Sequence, residues 1–279
     1  MNFLGFSIIS IILLLIILAT PKFSGILTFF RSSKPFPYLI LDNFFKKSFY
    51  NQLCTELSHG MTKIIGKEFN TSVEKNKTIN LNNDLPKTID KILSMLTKDT
   101  WVKNLRNLSG ISDLKPDVGH NEVLSNFHEM SKSGFLGSHV DHSHHPTTHK
   151  KHVLNIIIYL SKEWESQFGG NTLLFNKYGN KIEKLVEYVP NRLLIFLHTP
   201  YSFHGVDKLK PNQNQVRKTL YVDFYSNLEK PYSHLSLPFK NDFFKHGTTF
   251  ILNDKLSYLK PSNFYYTKTL LKYNINKYL

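Results

Sequence analysis

The stretch NRLLIFLHTPYSFHGV, Asn191 to Val206, holds a five-residue apolar run, LLIFL, breaks at Pro200 and ends on a His-Gly pair before Val206. An apolar run that short, closed by turn residues, reads as a buried strand, because a helix needs ten or more residues to bury a face. Working outward, runs of the same kind recur on both sides: VLSNFHEM (123–130), HVLNIIIYLS (152–161), NTLLF (171–175), LVEYV (185–189) and KTLYVDFYS (218–226), separated by Gly, Asn and Pro. Several short strands at such spacing predict a sandwich or barrel, and no internal repeat is visible.

Upstream the pattern changes. FPYLIL, Phe36 to Leu41, reads as one more strand, after which Asp42 or Asn43 can cap a helix whose apolar positions Phe45, Phe49, Leu53 and Leu57 recur every four residues. A second helix is predicted from Pro86 through Ile89, Ile92, Leu93 and Leu96, continuing past Trp101, Leu105 and Leu108 to a stop at Gly110.

Composition bounds the function classes. A chain of 279 residues, 41% hydrophobic and 14% aromatic, can bury one sizeable core and is not a disordered composition. The single cysteine, Cys54, excludes an internal disulfide and a Cys-rich zinc site, and favours a reducing, cytosolic setting. A net charge of +14 would attract anionic partners, yet no basic block, recognition helix or aromatic stacking platform stands out, so nucleic acid is not the expected partner. Residues 2–20, NFLGFSIISIILLLIILAT, carry no charge and approach the length of a bilayer core at about 1.5 Å per helical residue. They read as a membrane-anchor helix, with a cleaved signal peptide as the competing reading. Lys22, Arg31 and Lys34 follow the run and none precedes it, which predicts a catalytic domain facing the cytosol.

The chemistry concentrates in HVDHSHHPTTHKKH, His139 to His152. Residues two apart on a strand project to one face, so His139 and Asp141 can reach one ion together. His204, 63 residues beyond Asp141, is the best third ligand. Two imidazoles and a carboxylate on one face of an octahedral ion leave three positions open, the facial triad of non-haem Fe(II) oxygenases. The remaining histidines, His142, His144, His145, His149 and His152, fall in a Pro- and Thr-containing loop and read mostly as surface residues, with substrate contact or a lid role as the secondary reading. A zinc-like second site there has no acidic or thiol partner at regular spacing.

The ordered set HVD (139–141), IYL (158–160), GGNTLLF (169–175), NRLLIFLHTPYSFHGV (191–206) and VRKTLYVDFYS (216–226) resembles the 2-oxoglutarate and Fe(II)-dependent dioxygenases of the prolyl 4-hydroxylase-like branch, over Asn121 to Ser226. The resemblance implies a mainly β protein with flanking α-helices, a distorted double-stranded β-helix or jelly-roll. It further implies Fe(II) on His139, Asp141 and His204, 2-oxoglutarate held by Arg217 at its far carboxylate, and Tyr159 donating to the same group, with a core tyrosine as the competing reading of Tyr159. Arg217 lies thirteen residues beyond His204, more than is usual for the family, and Lys218 is its rival. Strand alternation puts Lys218 with Leu220, Val222 and Phe224, and Arg217 with Thr219, Tyr221 and Asp223, which favours Arg217 and adds Thr219 to the cosubstrate face. No catalytic acid or base beyond the metal ligands is expected.

The implied reaction is hydroxylation of a C–H bond of a prolyl or other peptide residue, or of a small molecule, consuming O2 and releasing succinate and CO2, with ascorbate as a supporting reductant. The competing readings are a catalytically inactive jelly-roll binding module and a cupin-like metalloenzyme. The expected organisation is an anchor and linker (1–35), an amino-terminal helical support (36–120), the jelly-roll core (121–226) and a basic, aromatic carboxyl-terminal extension (227–279) with no assigned chemistry.

Overall fold

The computed structural model describes residues 22–59, 66–80, 86–117, 127–210, 215–237 and 243–251. In chain order the elements are α1 (Lys22–Ser32), β1 (Tyr38–Leu41), α2 (Lys47–His59), β2 (Gly66–Phe69), β3 (Glu74–Asn80), α3 (Lys87–Leu96), α4 (Asp99–Ser109), β4 (Lys115–Asp117), β5 (Phe127–Val140), β6 (Lys151–Tyr159), β7 (Thr172–Phe175), β8 (Ile182–Val186), β9 (Leu193–Leu197), β10 (His204–Val206), β11 (Arg217–Ser226) and β12 (Thr249–Phe250).

The strands form one curled sheet in the order β1-β9-β6-β11-β5-β10-β7-β8, with β3 and β12 also on β5, β2 on β3 and β4 on β11. The curl comes from β5. Its first residues, Phe127 to Met130, pair with β11, while its far end pairs with β10 through His139 and with β12 through Val140. One long strand thus joins the two halves of a jelly-roll and folds them face to face.

Alternation sorts the central strands. Leu154, Ile156 and Ile158 of β6, Leu193, Ile195 and Leu197 of β9, and Leu220, Val222 and Phe224 of β11 enter one apolar cluster with Leu53, Leu57, Ile89, Leu93, Trp101 and Leu105 of the helices. Their neighbours point the other way, Ile157, Tyr159, Leu194 and Phe196 into a second cluster. On β11 that inner side carries Arg217, Thr219, Tyr221 and Asp223, which line a cavity between the two halves. Burying a leucine-sized side chain contributes roughly 1.5–3 kcal/mol, so the helical layer anchors the wall from which the polar residues project.

The long second helix expected from Pro86 to Gly110 is two helices. Lys98 adopts an extended φ of −62° and ψ of 140° between α3 and α4. The physical reason lies in phase: the step from Leu96 to Trp101 is five residues, about 140° out of register at 3.6 residues per turn, so one straight helix would turn its second stripe away from the core. The predicted stop holds, with Gly110 left-handed at φ 76° and its N–H donating to Arg106 O at 2.7 Å. The run 2–20, read as a membrane anchor, lies outside the described residues, and among those described no helix is long and apolar enough to cross a membrane. Residues 22–32, assigned to anchor and linker, form α1, whose Phe30 is fully buried in the helical cluster.

Candidate metal and cosubstrate site

His139 stands at the end of β5 and His204 opens β10, and the two are register partners, which brings their rings to 4.2 Å between centroids. Asp141 follows one residue past the strand end. Its Oδ1 is 3.4 Å from His139 Nε2 and its Oδ2 is 3.3 Å from His204 Nε2. The three ligand atoms lie within 4.8 Å of one another. The histidine tautomers follow from their other nitrogens: Nδ1–H of His139 donates to Gly137 O at 2.9 Å and Nδ1–H of His204 to Ser202 O at 3.0 Å, and a carbonyl can only accept. In the neutral rings both Nε2 lone pairs therefore face the carboxylate, a donor set that calls for a shared cation.

Asp141 is further held by Asn155 Nδ2 at 3.1 Å and Tyr221 OH at 3.0 Å, both donating to Oδ2. Burial alone would raise its pKa, but the two imidazoles outweigh burial and hold the carboxyl well below its ordinary range. Burial, with His204 beside it, pushes the His139 imidazole down. Phe250 stacks on His139 at 5.1 Å and Phe196 tilts against His204 at 4.9 Å, fixing both rings.

The same cavity, about 470 Å3, is lined by Arg217 and Thr219 as well as by the triad. Arg217 is buried; its Nε donates to Gly170 O at 2.7 Å, its Nη2 to Thr172 Oγ1 at 3.3 Å, and its guanidinium lies over the rings of Tyr188 and Tyr159 at 5.0 and 5.5 Å. Among the described residues no carboxylate forms an ion pair with it, although burial costs the charge enough to lower its pKa. A buried fork of this kind is matched to an entering carboxylate. A Cβ on Gly170 (φ 75°) would come within 3.2 Å of Arg217 Cδ, so the glycine lets the arginine pass.

Lys218 points to the opposite side, donating to Leu57 O at 2.9 Å with Glu129 Oε1 3.7 Å away. Thr219 lines the cavity. Tyr159 instead sits behind the arginine: its hydroxyl pairs with Thr172 Oγ1 at 2.6 Å and its ring stacks on Tyr188 at 4.6 Å. Sequence reasoning missed Thr172, Tyr188, Asn155 and Phe250. Thr172 and Tyr188 sit in strand-like segments already quoted, but nothing marked which face they would take; Phe250 carried no signal at all.

The histidine loop departs from its expectation. His152 is fully buried and His145 nearly so, paired with Asp117; His142 and His144 are half-buried and only His149 is exposed. The reason is that the loop's second foot is the start of β6, and residues 243–251 cover it, with Ser143 Oγ donating to His246 O at 2.9 Å.

Residues 125–225 match the family model of the 2OG-Fe(II) oxygenase superfamily. No curated protein matches the chain. Among solved structures, a prolyl-4-hydroxylase from Pseudomonas putida superposes with a TM-score of 0.52 at 15% identity, covering 74% of this chain and 99% of its own. A prolyl hydroxylase from Trichoplax adhaerens, in complex with a hypoxia inducible factor oxygen degradation domain peptide fragment, gives 0.51 at 15% identity, covering 73% and 89%. At such identities the likeness is one of fold.

Proposed function

We propose that this chain, an oxygenase whose residues 125–225 match the 2OG-Fe(II) superfamily, holds Fe(II) on His139, Asp141 and His204, grips the far carboxylate of 2-oxoglutarate with Arg217, and hydroxylates a prolyl residue of a peptide. The observation that carries the reading is the pairing, in one cavity, of a carboxylate facing two bare imidazole nitrogens with a buried arginine that no described carboxylate pairs. The first set fits a divalent ion with open positions and the second fits a dicarboxylate reaching toward it. Bound iron with 2-oxoglutarate and O2 supplies oxidative C–H hydroxylation, with succinate and CO2 as co-products.

The protein's own part is positioning. Gly137 O and Ser202 O fix the imidazole tautomers, Asn155 and Tyr221 aim Asp141, and Thr172, Tyr159 and Tyr188 brace Arg217. A peptide is the favoured substrate because the cavity lining reaches beyond the triad and Arg217 to Lys67, Phe69 and Lys77 of the β2–β3 hairpin and to His142, His144 and Pro146 of the histidine loop. The peptide held by the prolyl hydroxylase of like fold supports this. The 2–20 run would tether the enzyme to a membrane with this domain in the cytosol, which carbonate extraction of the full chain would test.

The direct experiment incubates the full chain with Fe(II), 2-oxoglutarate, O2 and proline-containing peptides, with and without ascorbate, and reads the products by mass spectrometry. A gain of one oxygen on proline, stoichiometric with succinate, is the expected result. Succinate without peptide oxidation would redirect the substrate to a small molecule, and no 2-oxoglutarate binding by the iron-loaded protein would leave the inactive module or the cupin-like reading.

A further inference from the structure

We infer that His142, His152 and Asp223 form a second metal site, for a zinc-like divalent ion, which clips the two feet of the histidine loop to β11. Their ligand atoms lie within 4.8 Å of one another, as those of the triad do, with His152 Nε2 only 3.2 Å from Asp223 Oδ1. Zinc bonds nitrogen and oxygen at about 2.0–2.2 Å, which puts neighbouring ligands of a tetrahedral ion roughly 3.3–3.5 Å apart.

The independent observation is that two of these atoms are buried against each other with nothing else to satisfy them. His152 is 0% exposed and Asp223 5%. His152 Nε2 and Asp223 Oδ1 face each other as an ion pair, and neither has any further hydrogen-bond partner among the described residues. Nδ1–H of His152 donates to His142 O at 3.1 Å, so in the neutral ring Nε2 is bare and its lone pair meets a carboxylate lone pair. A buried contact of that kind needs a proton or a metal between the partners, and a stranded buried pair otherwise costs several kcal/mol.

The surroundings suit an ion. His152 is held flat by His198, stacked at 3.9 Å and 9°, whose own Nδ1–H donates to His152 O. The other carboxylate oxygen, Oδ2, accepts the one phenolic proton of Tyr225 at 3.2 Å, so His142 Nε2–H, 2.9 Å away, donates to that hydroxyl oxygen and in the neutral ring leaves the Nδ1 lone pair for the cation. His142 and Asp223 line the main cavity, which gives an ion its way in. His142 follows Asp141 directly and His152 opens the run into β6, so one ion would fix the loop on both sides and steady the neighbouring triad residue. Two imidazoles, one carboxylate and no thiolate also match zinc, cobalt or nickel better than calcium or magnesium.

Cobalt titration of the chelator-stripped full chain tests this without reference to turnover. The wild type should take two equivalents, and the His139→Ala/His204→Ala variant should keep one, with visible d–d absorption of a low-coordinate ion. Adding Asp223→Asn, which keeps the side-chain shape, should weaken that remaining equivalent at least about 100-fold. His142→Phe serves as a second probe should Asp223→Asn fail to fold, as judged by circular dichroism. A single equivalent in the folded wild type that the His139→Ala/His204→Ala variant loses, or a second equivalent indifferent to both Asp223→Asn and His142→Phe, would overturn the site and leave a buried imidazolium–carboxylate pair. Loss of the triad equivalent with retention of this one would count against the iron assignment alone.

Discussion

At the scale of single residues, the cosubstrate anchor proposed at Arg217 is the sharpest test of the site. Arg217 faces the cavity with its guanidinium already bonded to Gly170 O and Thr172 Oγ1. Replacing it by alanine should raise the apparent KM for 2-oxoglutarate well over tenfold and leave Fe(II) affinity nearly unchanged, since a charged hydrogen bond contributes about 1.5–3 kcal/mol and the fork makes two. Arg217→Lys should recover only part of the loss, because an ammonium cannot serve both neighbours and the ligand in one plane. Lys218→Ala should do little in the same assay, as its ammonium sits at Leu57 O on the helical side. Tyr221→Phe is the complementary probe: it removes the hydroxyl that donates to Asp141 Oδ2, and we expect Fe(II) affinity, measured by competition with a chelator, to fall about tenfold or more while 2-oxoglutarate binding to the loaded protein changes less. Arg217 could be chosen over its neighbour from sequence because alternation is strict in a strand. Tyr159 could not be placed as finely, since alternation gives the side of the sheet but not which of several inward groups reaches the ligand.

At the scale of elements, what the sequence carried was periodicity, and what it withheld was phase and partnership. The runs around Leu193–Leu197, Lys151–Tyr159 and Arg217–Ser226 form strands within two residues of their predicted bounds because short apolar or alternating runs have few other stable outcomes. The break at Thr97–Lys98 was hidden because each half of the segment is a good amphipathic helix, and only the five-residue step between stripes betrays it. The second buried cluster was hidden for another reason: Asp223 lies 71 residues from His152 and meets it only through the pairing of β11 with β6. The helix stop at Gly110 was legible, and it makes a quantitative claim. Gly110 has φ 76° and a Cβ there would strike the His234 ring, whose Nε2 lies 2.6 Å from Ser109 O. Gly110→Ala should therefore cost at least about 1–2 kcal/mol of stability in urea denaturation, with the metal and cosubstrate affinities of the folded protein retained. An unchanged midpoint would mean that the α4 terminus and the segment around His234 do not pack as described.

At the scale of the whole molecule, the two sides of one sheet divide the labour: the helical side is apolar and supplies stability, while the inner side holds buried carboxylates, imidazoles and a guanidinium that oppose it. Residues 243–251 belong to that opposition, because they cap the inner side and bury His246 against Ser143 and Gly247. Burial is the largest influence on this imidazole and lowers its pKa from 6.5 to about 4. The linkage sign follows from which state binds the proton. An unfolded His246 protonates as pH falls through about 6.5 whereas the folded one stays neutral until about 4, so the unfolded chain gains protons first and stability declines as pH falls across that window. Above about pH 7 the group has no effect, since both states are neutral. Between about pH 7 and 5 the loss from this one residue should be about 2 kcal/mol, at about 1.4 kcal/mol for each tenfold change in proton occupancy. His246→Gln removes the titrating ring, so the metal-free variant should lose less stability than the wild type between those two pH values, whatever its stability at pH 7. Urea midpoints at both pH values for the two proteins give the comparison, and equal losses would show that the carboxyl-terminal cap does not bury His246 in the folded protein.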